Sequence, residues 1–462
     1  MNPGKSPSAL GLAKAVDECP SIRMSQPSLR LALRAAGLWC VMLVPTLAQR
    51  PHFDPQRDYA YDLAATDAQT VTVELDATGF AWPAVAEADT AFLEIALDSS
   101  EPAPALQATR GATAVRQVFE TGARGRRFLD VSPLLKGEGR VELAGTGLNW
   151  TPGQARLFLY RNTPLAGRRV LVLAPHPDDA EIGAFGLYRD TQADVITVTS
   201  GDAGGENFVV LFPEPPEHYR VKGWIRTWDS ISVPFYGGVY PGKARNLGYY
   251  DATLRRLQAA PSVALPPLLA HLDDPAYYRK LNMDADLRAR PFVGTWNALV
   301  ADILWELERV QPEVIAAPHP LLDNHADHQF TTIALIEALA QWGGKAELYL
   351  FTNHALENEA WPLGDRDAMS GLPPTSRGEL FFRRIYSHPV TPGTQKLKLV
   401  ALEDMHDLRA FDLRDGNPAA SDAERESWKT LDYYRRGPRP NELFFVLDRE
   451  DAFRLREAFL AR

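Results

Sequence analysis

The spacing of hydrophobic and polar positions changes near residue 168. Between 55 and 160 the period is two: Val71, Val73 and Leu75 alternate with Thr72 and Glu74, and Leu93, Ile95 and Leu97 with Glu94 and Ala96. Val141 with Leu143, and Leu157 with Leu159, continue it. Alternation of this kind buries one face of a strand. Gly- and Pro-containing turns separate the runs and no long helical pattern interrupts them, so a small β-sandwich or jelly-roll module is expected over 55–162. Ligand binding and plain packing are both open roles for it.

From Arg168 the pattern becomes that of an α/β protein. Arg169 to Ala174 is a short apolar run typical of a parallel strand buried on both faces. A helix over Glu181–Asp190 and a strand over Ala193–Thr199 complete a βαβ unit. Leu299, Val300, Ile303, Leu304, Leu307 and Val310 have helical spacing. A strand at Val314–Ala317, a helix over Phe330–Trp342 and a strand over Glu347–Phe351 follow. The alternation predicts a Rossmann-like layered sheet over 166–462.

The N-terminus reads differently. Arg30 and Arg34 precede the apolar run Ala35–Ala48, with Thr46 and Ala48 placed as a cleavage site would require. Residues 1–48 are therefore expected to be a signal-peptide region, translated from Met1 or Met24, of a periplasmic or secreted protein. Retention of the run as an inner-membrane anchor, or as a buried helix of a cytoplasmic protein, is the alternative. The run is shorter than the ~20 residues of a comfortable bilayer span. Cys19 and Cys40, the two cysteines, both lie within residues 1–48, so a processed chain has no thiol for a disulfide or zinc site. The full chain of 462 residues carries a formal charge of −10; without residues 1–48 it carries −13, from 44 basic and 57 acidic side chains. Such a balance disfavours nucleic acid as a partner.

Two loops concentrate reactive side chains. Ala174-Pro175-His176-Pro177-Asp178-Asp179 follows the first α/β strand, at the sheet edge where open α/β folds bind ligands. One histidine and two carboxylates held between prolines make a partial site for a divalent metal. An equally simple reading makes Asp178 or Asp179 a helix N-cap. The second loop, Pro318 to His328, holds His319, His325 and His328, three of the ten histidines in the chain. It also joins a strand to a helix and so reaches the same edge. His328 can be a third ligand, His325 lies near the same centre, and Asp327 can orient an imidazole.

Together these loops, HPDDAEIG and HADH, resemble the PIG-L (LmbE-like) zinc de-N-acetylase family, whose members remove acetyl from N-acetylglucosaminyl groups of lipids, thiol cofactors, antibiotics and glycans. The likeness extends over about 168–410. Thr199 to Glu206 resembles the family's Gly-rich turn, Leu247-Gly248 with Asp251 its LG…D segment, and Lys398 to Asp407 its late helix. The resemblance implies Zn2+, or another divalent ion, on His176, Asp179 and His328. It makes Asp178 the general base and His325 the group that polarises the amide carbonyl or protonates the leaving amine. Arg226 and Asp251 are the substrate contacts it suggests, and Trp228 and Tyr250, aromatics of the same region, are expected contacts by ring stacking on a sugar. The family's Arg-then-Glu pattern is matched only roughly by Arg226-Thr227-Trp228-Asp229.

An aromatic-rich insertion is expected at about 207–291, either as a cap stacking on sugar rings or as packing against the sheet. The expected partner is a glycan or glycolipid, with peripheral membrane contact. Three functions compete: de-N-acetylation of an envelope glycan, de-N-acetylation of a small cytoplasmic N-acetylglucosaminyl conjugate, and glycan binding without catalysis. A dinucleotide enzyme is disfavoured because the first strand ends in HPDD rather than a GxGxxG turn.

Overall fold

The structure, a computed structural model, describes residues 52–205, 207–408 and 433–462. The expected signal region and Glu206 lie outside these residues. No helix among the described residues is long and apolar enough to cross a membrane.

Residues 69–160 form two antiparallel sheets. In one, the strands Gln69–Leu75, Gly153–Tyr160, Thr90–Asp98 and Arg124–Asp130 lie side by side, with Asn149–Trp150 pairing onto Thr90–Asp98. In the other the order is Gly79–Phe80, Val141–Thr146, Ala105–Arg110, Thr113–Val118. Val73, Leu93 and Leu157 from the first share one buried cluster with Leu106, Val115 and Val141 from the second. The period-two residues therefore face each other across a common core.

The remainder is built on a seven-stranded sheet ordered Ala244–Tyr249, Gln192–Thr199, Arg169–Ala174, Val314–Pro318, Glu347–Phe351, Asn441–Leu447, Arg384–Pro389. The first five are parallel; Asn441–Leu447 runs antiparallel to both its neighbours. Leu171, Leu173, Ile315 and Leu348 point to one face, where the helices Trp296–Val310 and Ala326–Gln341 cover them. Val170, Val172, Val314 and Tyr349 point to the other, under Asp179–Arg189 and Pro392–Asp404. A sheet with helices on both faces explains the unbroken apolar strands. Arg169–Ala174 has Gln192–Thr199 on one side and Val314–Pro318 on the other, so the chain order reverses there. That switch point places the first and second reactive loops side by side.

Two sequence expectations need correction. Asp178 stands at the helix N-terminus, but neither it nor its neighbour acts as the expected cap: Asp178 makes no side-chain capping bond and has φ 118°. Residues 207–291 are also not simply an insertion. They supply the long helix Pro215–Ser232 and a sheet strand, Ala244–Tyr249, whose six residues are all buried. Their aromatics divide: Tyr249 and Tyr250 are core residues, whereas Trp224, Phe235 and Tyr240 are exposed.

The β-rich region meets the outer strands of the large sheet through a buried polar seam. Asp130 accepts hydrogen bonds from Ser387 Oγ (2.6 Å) and Asn441 Nδ2 (3.0 Å), and Asn162 Nδ2 donates to the Ile385 carbonyl at 3.0 Å.

Candidate metal centre

Each reactive loop is pinned by backbone bonds. The Pro175 carbonyl accepts from both the amide and the hydroxyl of Thr199 at 2.9 Å, tying the first loop to the neighbouring strand. His319 N donates to the Phe351 carbonyl at 2.7 Å, tying the second loop to the strand on its other side. Proline on both sides of His176 and of His319 limits the backbone further.

Three side-chain atoms converge between the loops. Nδ1 of His176 lies 3.1 Å from Oδ2 of Asp179 and 3.2 Å from Nε2 of His328, and that Nε2 lies 3.1 Å from the same Oδ2. All three residues are buried. The outer nitrogens of both rings face carboxylates. His176 Nε2 is 3.1 Å from Asp251 and 3.5 Å from Asp327, and His328 Nδ1 is 3.1 Å from Asp323. Those carboxylates draw the imidazole protons outward, which leaves two nitrogen lone pairs and a carboxylate oxygen facing one another. Such a trio repels itself unless a cation lies between them.

Bonds of about 2.0–2.1 Å to a tetrahedral ion separate its ligand atoms by roughly 3.3–3.4 Å, close to the observed triangle. The donors therefore fit a divalent metal on His176, Asp179 and His328. Two alternative groupings, His176 with His325 and His328, and His176 with Asp251 and Asp327, are close enough in space to be considered. The second is explained by a proton on His176 Nε2. The first leaves out Asp179, whose oxygen already contacts both rings.

The charge balance points the same way. Burial opposes a charge on His176, but Asp251, Asp179 and Asp327 hold its pKa well above the usual value. His328 is raised against the same penalty by Asp179 and Asp323. Asp179 is held well below the carboxylate range by His328 and His176, although burial works in the other direction. The raised imidazoles and depressed carboxylate record an excess of buried carboxylate, which a divalent cation would balance in place of the imidazole protons.

Asp178 stands outside the triangle and pairs with an arginine. Its Oδ2 accepts from Arg226 Nη2 at 3.0 Å, and Arg226 also donates to the Pro177 carbonyl at 2.7 Å. Burial pushes the Asp178 pKa up, with Arg226 pulling against it. Arg226 reaches this position over Gly201, whose φ is +66° and where a Cβ would lie 2.6 Å from the guanidinium. Its other side faces Asp407 at 3.3 Å. His325, at the start of the helix Ala326–Gln341, packs edge-on to His176 with ring centroids 4.7 Å apart. Burial and the neighbouring imidazoles lower its pKa to about 3, so it is neutral at ordinary pH.

Asp327, expected to orient an imidazole, also accepts from Ala252 N (2.6 Å) and Leu254 N (3.2 Å), and so holds the loop that carries Asp251. Asp251, expected to touch substrate, faces His176 Nε2. Tyr250 gives its hydroxyl to the Pro275 carbonyl and its ring to Phe292. Trp228 is half-buried and lies two residues beyond Arg226, on another side of the same helix.

Asp323 and Asn353 complete the surroundings, and sequence reasoning assigned them no role. Asp323, fully buried, accepts from the His325 amide (3.0 Å), the His328 ring and the Asn353 and His354 amides (3.0 and 3.2 Å). Asn353 Nδ2 donates to Asp179 Oδ1 at 2.8 Å, turning Oδ2 toward the histidines. The available signal was position: Asn353 follows the strand Glu347–Phe351 at the sheet edge that carries both loops.

A family match covers both reactive loops. Residues 171–339 match the model of the PIG-L family, described as GlcNAc-PI de-N-acetylase. Residues 171–339 are therefore PIG-L-like. Both reactive loops fall inside the matched segment, whereas Asn353 and three strands of the large sheet, Glu347–Phe351, Arg384–Pro389 and Asn441–Leu447, lie beyond it. Similar solved structures include the A40926 pseudoaglycone deacetylase Dbv21, at 17% identity over 61% of this chain and 97% of that one, with a TM-score of 0.34. GalB, the 4-carboxy-2-hydroxymuconate hydratase of Pseudomonas putida KT2440, is 13% identical over 61% and 95%, with a TM-score of 0.32. No curated protein matches the chain.

Proposed function

We propose that this protein is a zinc-dependent de-N-acetylase of an N-acetylhexosamine in an envelope or surface glycan. The observation that carries the reading is the triangle of His176, Asp179 and His328 beside Asp178, within the segment that matches PIG-L. Mixed imidazole and carboxylate donors favour zinc. When bound, such an ion supplies Lewis acidity toward a carbonyl and toward water.

The chain's own residues supply proton handling and orientation. Asp178, kept basic by burial, takes a proton from the attacking water and is then placed to return it to the amine. Arg226 holds the carboxylate oriented and limits how far its pKa rises. Neutral His325 offers an N–H to the acetyl oxygen as charge develops there. An amine leaves readily only when protonated, so a proton return of this kind is required.

Export through the Ala35–Ala48 segment supports an envelope substrate rather than a cytosolic conjugate. Acetate release from a panel of N-acetylhexosamine glycans and conjugates, with and without chelator, tests the activity. Chelator-sensitive release is expected; none across the panel would overturn the reading. N-terminal sequencing of the native protein tests export, with a start near Gln49 expected.

A further inference from the structure

Beyond residue 339 the chain lines up a carboxylate, an imidazole and a phenol beside the catalytic histidines. His354 Nδ1 lies 2.8 Å from Oε1 of Glu359, and its Nε2 lies 3.2 Å from the hydroxyl of Tyr433. The His354 ring centroid is 5.2 Å from that of His328 and 5.9 Å from that of His325. Its amide is one of those held by Asp323. Arg436 braces the other end: its guanidinium lies 5.1 Å over the Tyr433 ring, and its Nη2 donates to the Asn353 carbonyl at 2.8 Å.

Glu359 fixes the hydrogen-bond direction. As an acceptor beside Nδ1, it places the imidazole proton there, so Nε2 accepts the phenolic hydrogen of Tyr433. The phenol oxygen then has lone pairs to offer and no hydrogen. The ring packs against the buried cluster on the sheet face covered by the helices Asp179–Arg189 and Pro392–Asp404. The hydroxyl thus lies one hydrogen bond from an imidazole that itself neighbours the rings of His328 and His325.

We propose that Tyr433, oriented by His354 and Glu359, is a substrate-positioning residue whose oxygen accepts a hydrogen bond from the N–H of the scissile acetamido group. This rests on the de-N-acetylase reading. An acetamido group carries one N–H donor, and an acceptor fixed beside it sets the rotation about the sugar C–N bond. That rotation decides which face of the carbonyl is presented to the nucleophile. The nitrogen becomes a stronger donor as it takes up a proton, so the contact strengthens along the reaction.

The test uses the full-length metal-loaded protein and the panel member that the wild type turns over fastest. Tyr433→Phe removes only the hydroxyl. It is expected to lower kcat/KM by about 10- to 100-fold, with bound metal and Tm unchanged. His354→Gln is expected to cause a similar loss, and the double variant to be no worse than the weaker single variant, because the two act as one unit. Wild-type kcat/KM in Tyr433→Phe, or fully additive losses in the double variant, would overturn the proposal while leaving the deacetylase reading intact. A lower Tm with unchanged kcat/KM would assign Tyr433 to packing and overturn it too. A wild type silent across the whole panel would remove both readings.

Discussion

Asp323 accepts the Nδ1 hydrogen of His328 at 3.1 Å, and that one contact selects the nitrogen that faces Asp179. The same carboxylate holds the backbone of His325. Removing its charge should loosen both loop histidines at once. Asp323→Asn is expected to weaken metal affinity by about 10- to 100-fold, measured by competition with a chromogenic chelator. Unchanged affinity would show that the His328 tautomer is set elsewhere.

Asp178 can be tested without disturbing the backbone. At φ 118° an alanine would be strained, whereas asparagine tolerates positive φ better than most side chains. Asp178→Asn should lower kcat by about 10²- to 10⁴-fold, with metal content retained. Loss of metal in this variant would instead make Asp178 a ligand.

Arg226 opposes the rise in the Asp178 pKa that burial causes. A general base works in its deprotonated form, so activity climbs as pH rises through its pKa. Arg226→Gln takes away the opposing charge and raises that pKa further. The acid limb of the kcat/KM profile is therefore expected to move to higher pH. A shift to lower pH, or none, would refute the pairing.

His319 gives a prediction about stability. It is fully buried, and burial lowers its pKa from 6.5 to about 3. The folded state thus binds this proton less readily than the unfolded state. Its contribution is complete above pH 6.5 and falls as the pH drops toward 3, by about 1.4 kcal/mol per pH unit. Denaturant unfolding from about pH 7 to about pH 4 should show a shallower loss in His319→Gln than in the wild type. Parallel curves would mean that His319 is not the responsible group.

Much of the fold was legible because its strands are simple. Arg169–Ala174 and Glu347–Phe351 are buried on both faces and read as apolar runs. The strand Ala244–Tyr249 was hidden for the opposite reason: it buries Arg245 and Asn246. Arg245 is acceptable there only because Glu306 (2.7 Å) and Asp194 (2.9 Å), distant in sequence, neutralise it. Asn246 is likewise satisfied by Asn282, which accepts its amide hydrogen, and by the Thr199 carbonyl. At the site, residue types and spacing marked the two loops. They could not show that Asp251, 75 positions away from His176, would face its Nε2, nor which imidazole nitrogen each carboxylate would select.

The polar seam at Asp130 bears on how this protein can be divided. A fragment begun after residue 162 would strip the Ser387 hydroxyl of its acceptor, while Asn441 Nδ2 would keep the Ser370 carbonyl and Ser387 Oγ, each at 3.0 Å. Unpaired buried donors commonly cost ~1–3 kcal/mol each. In the fragment water would reach the seam and hydrate the Ser387 hydroxyl, so the cost falls on an exchanged module that buries it again. Exchanging the β-rich region for another module would require a replacement carboxylate at that point, whatever the new module bound.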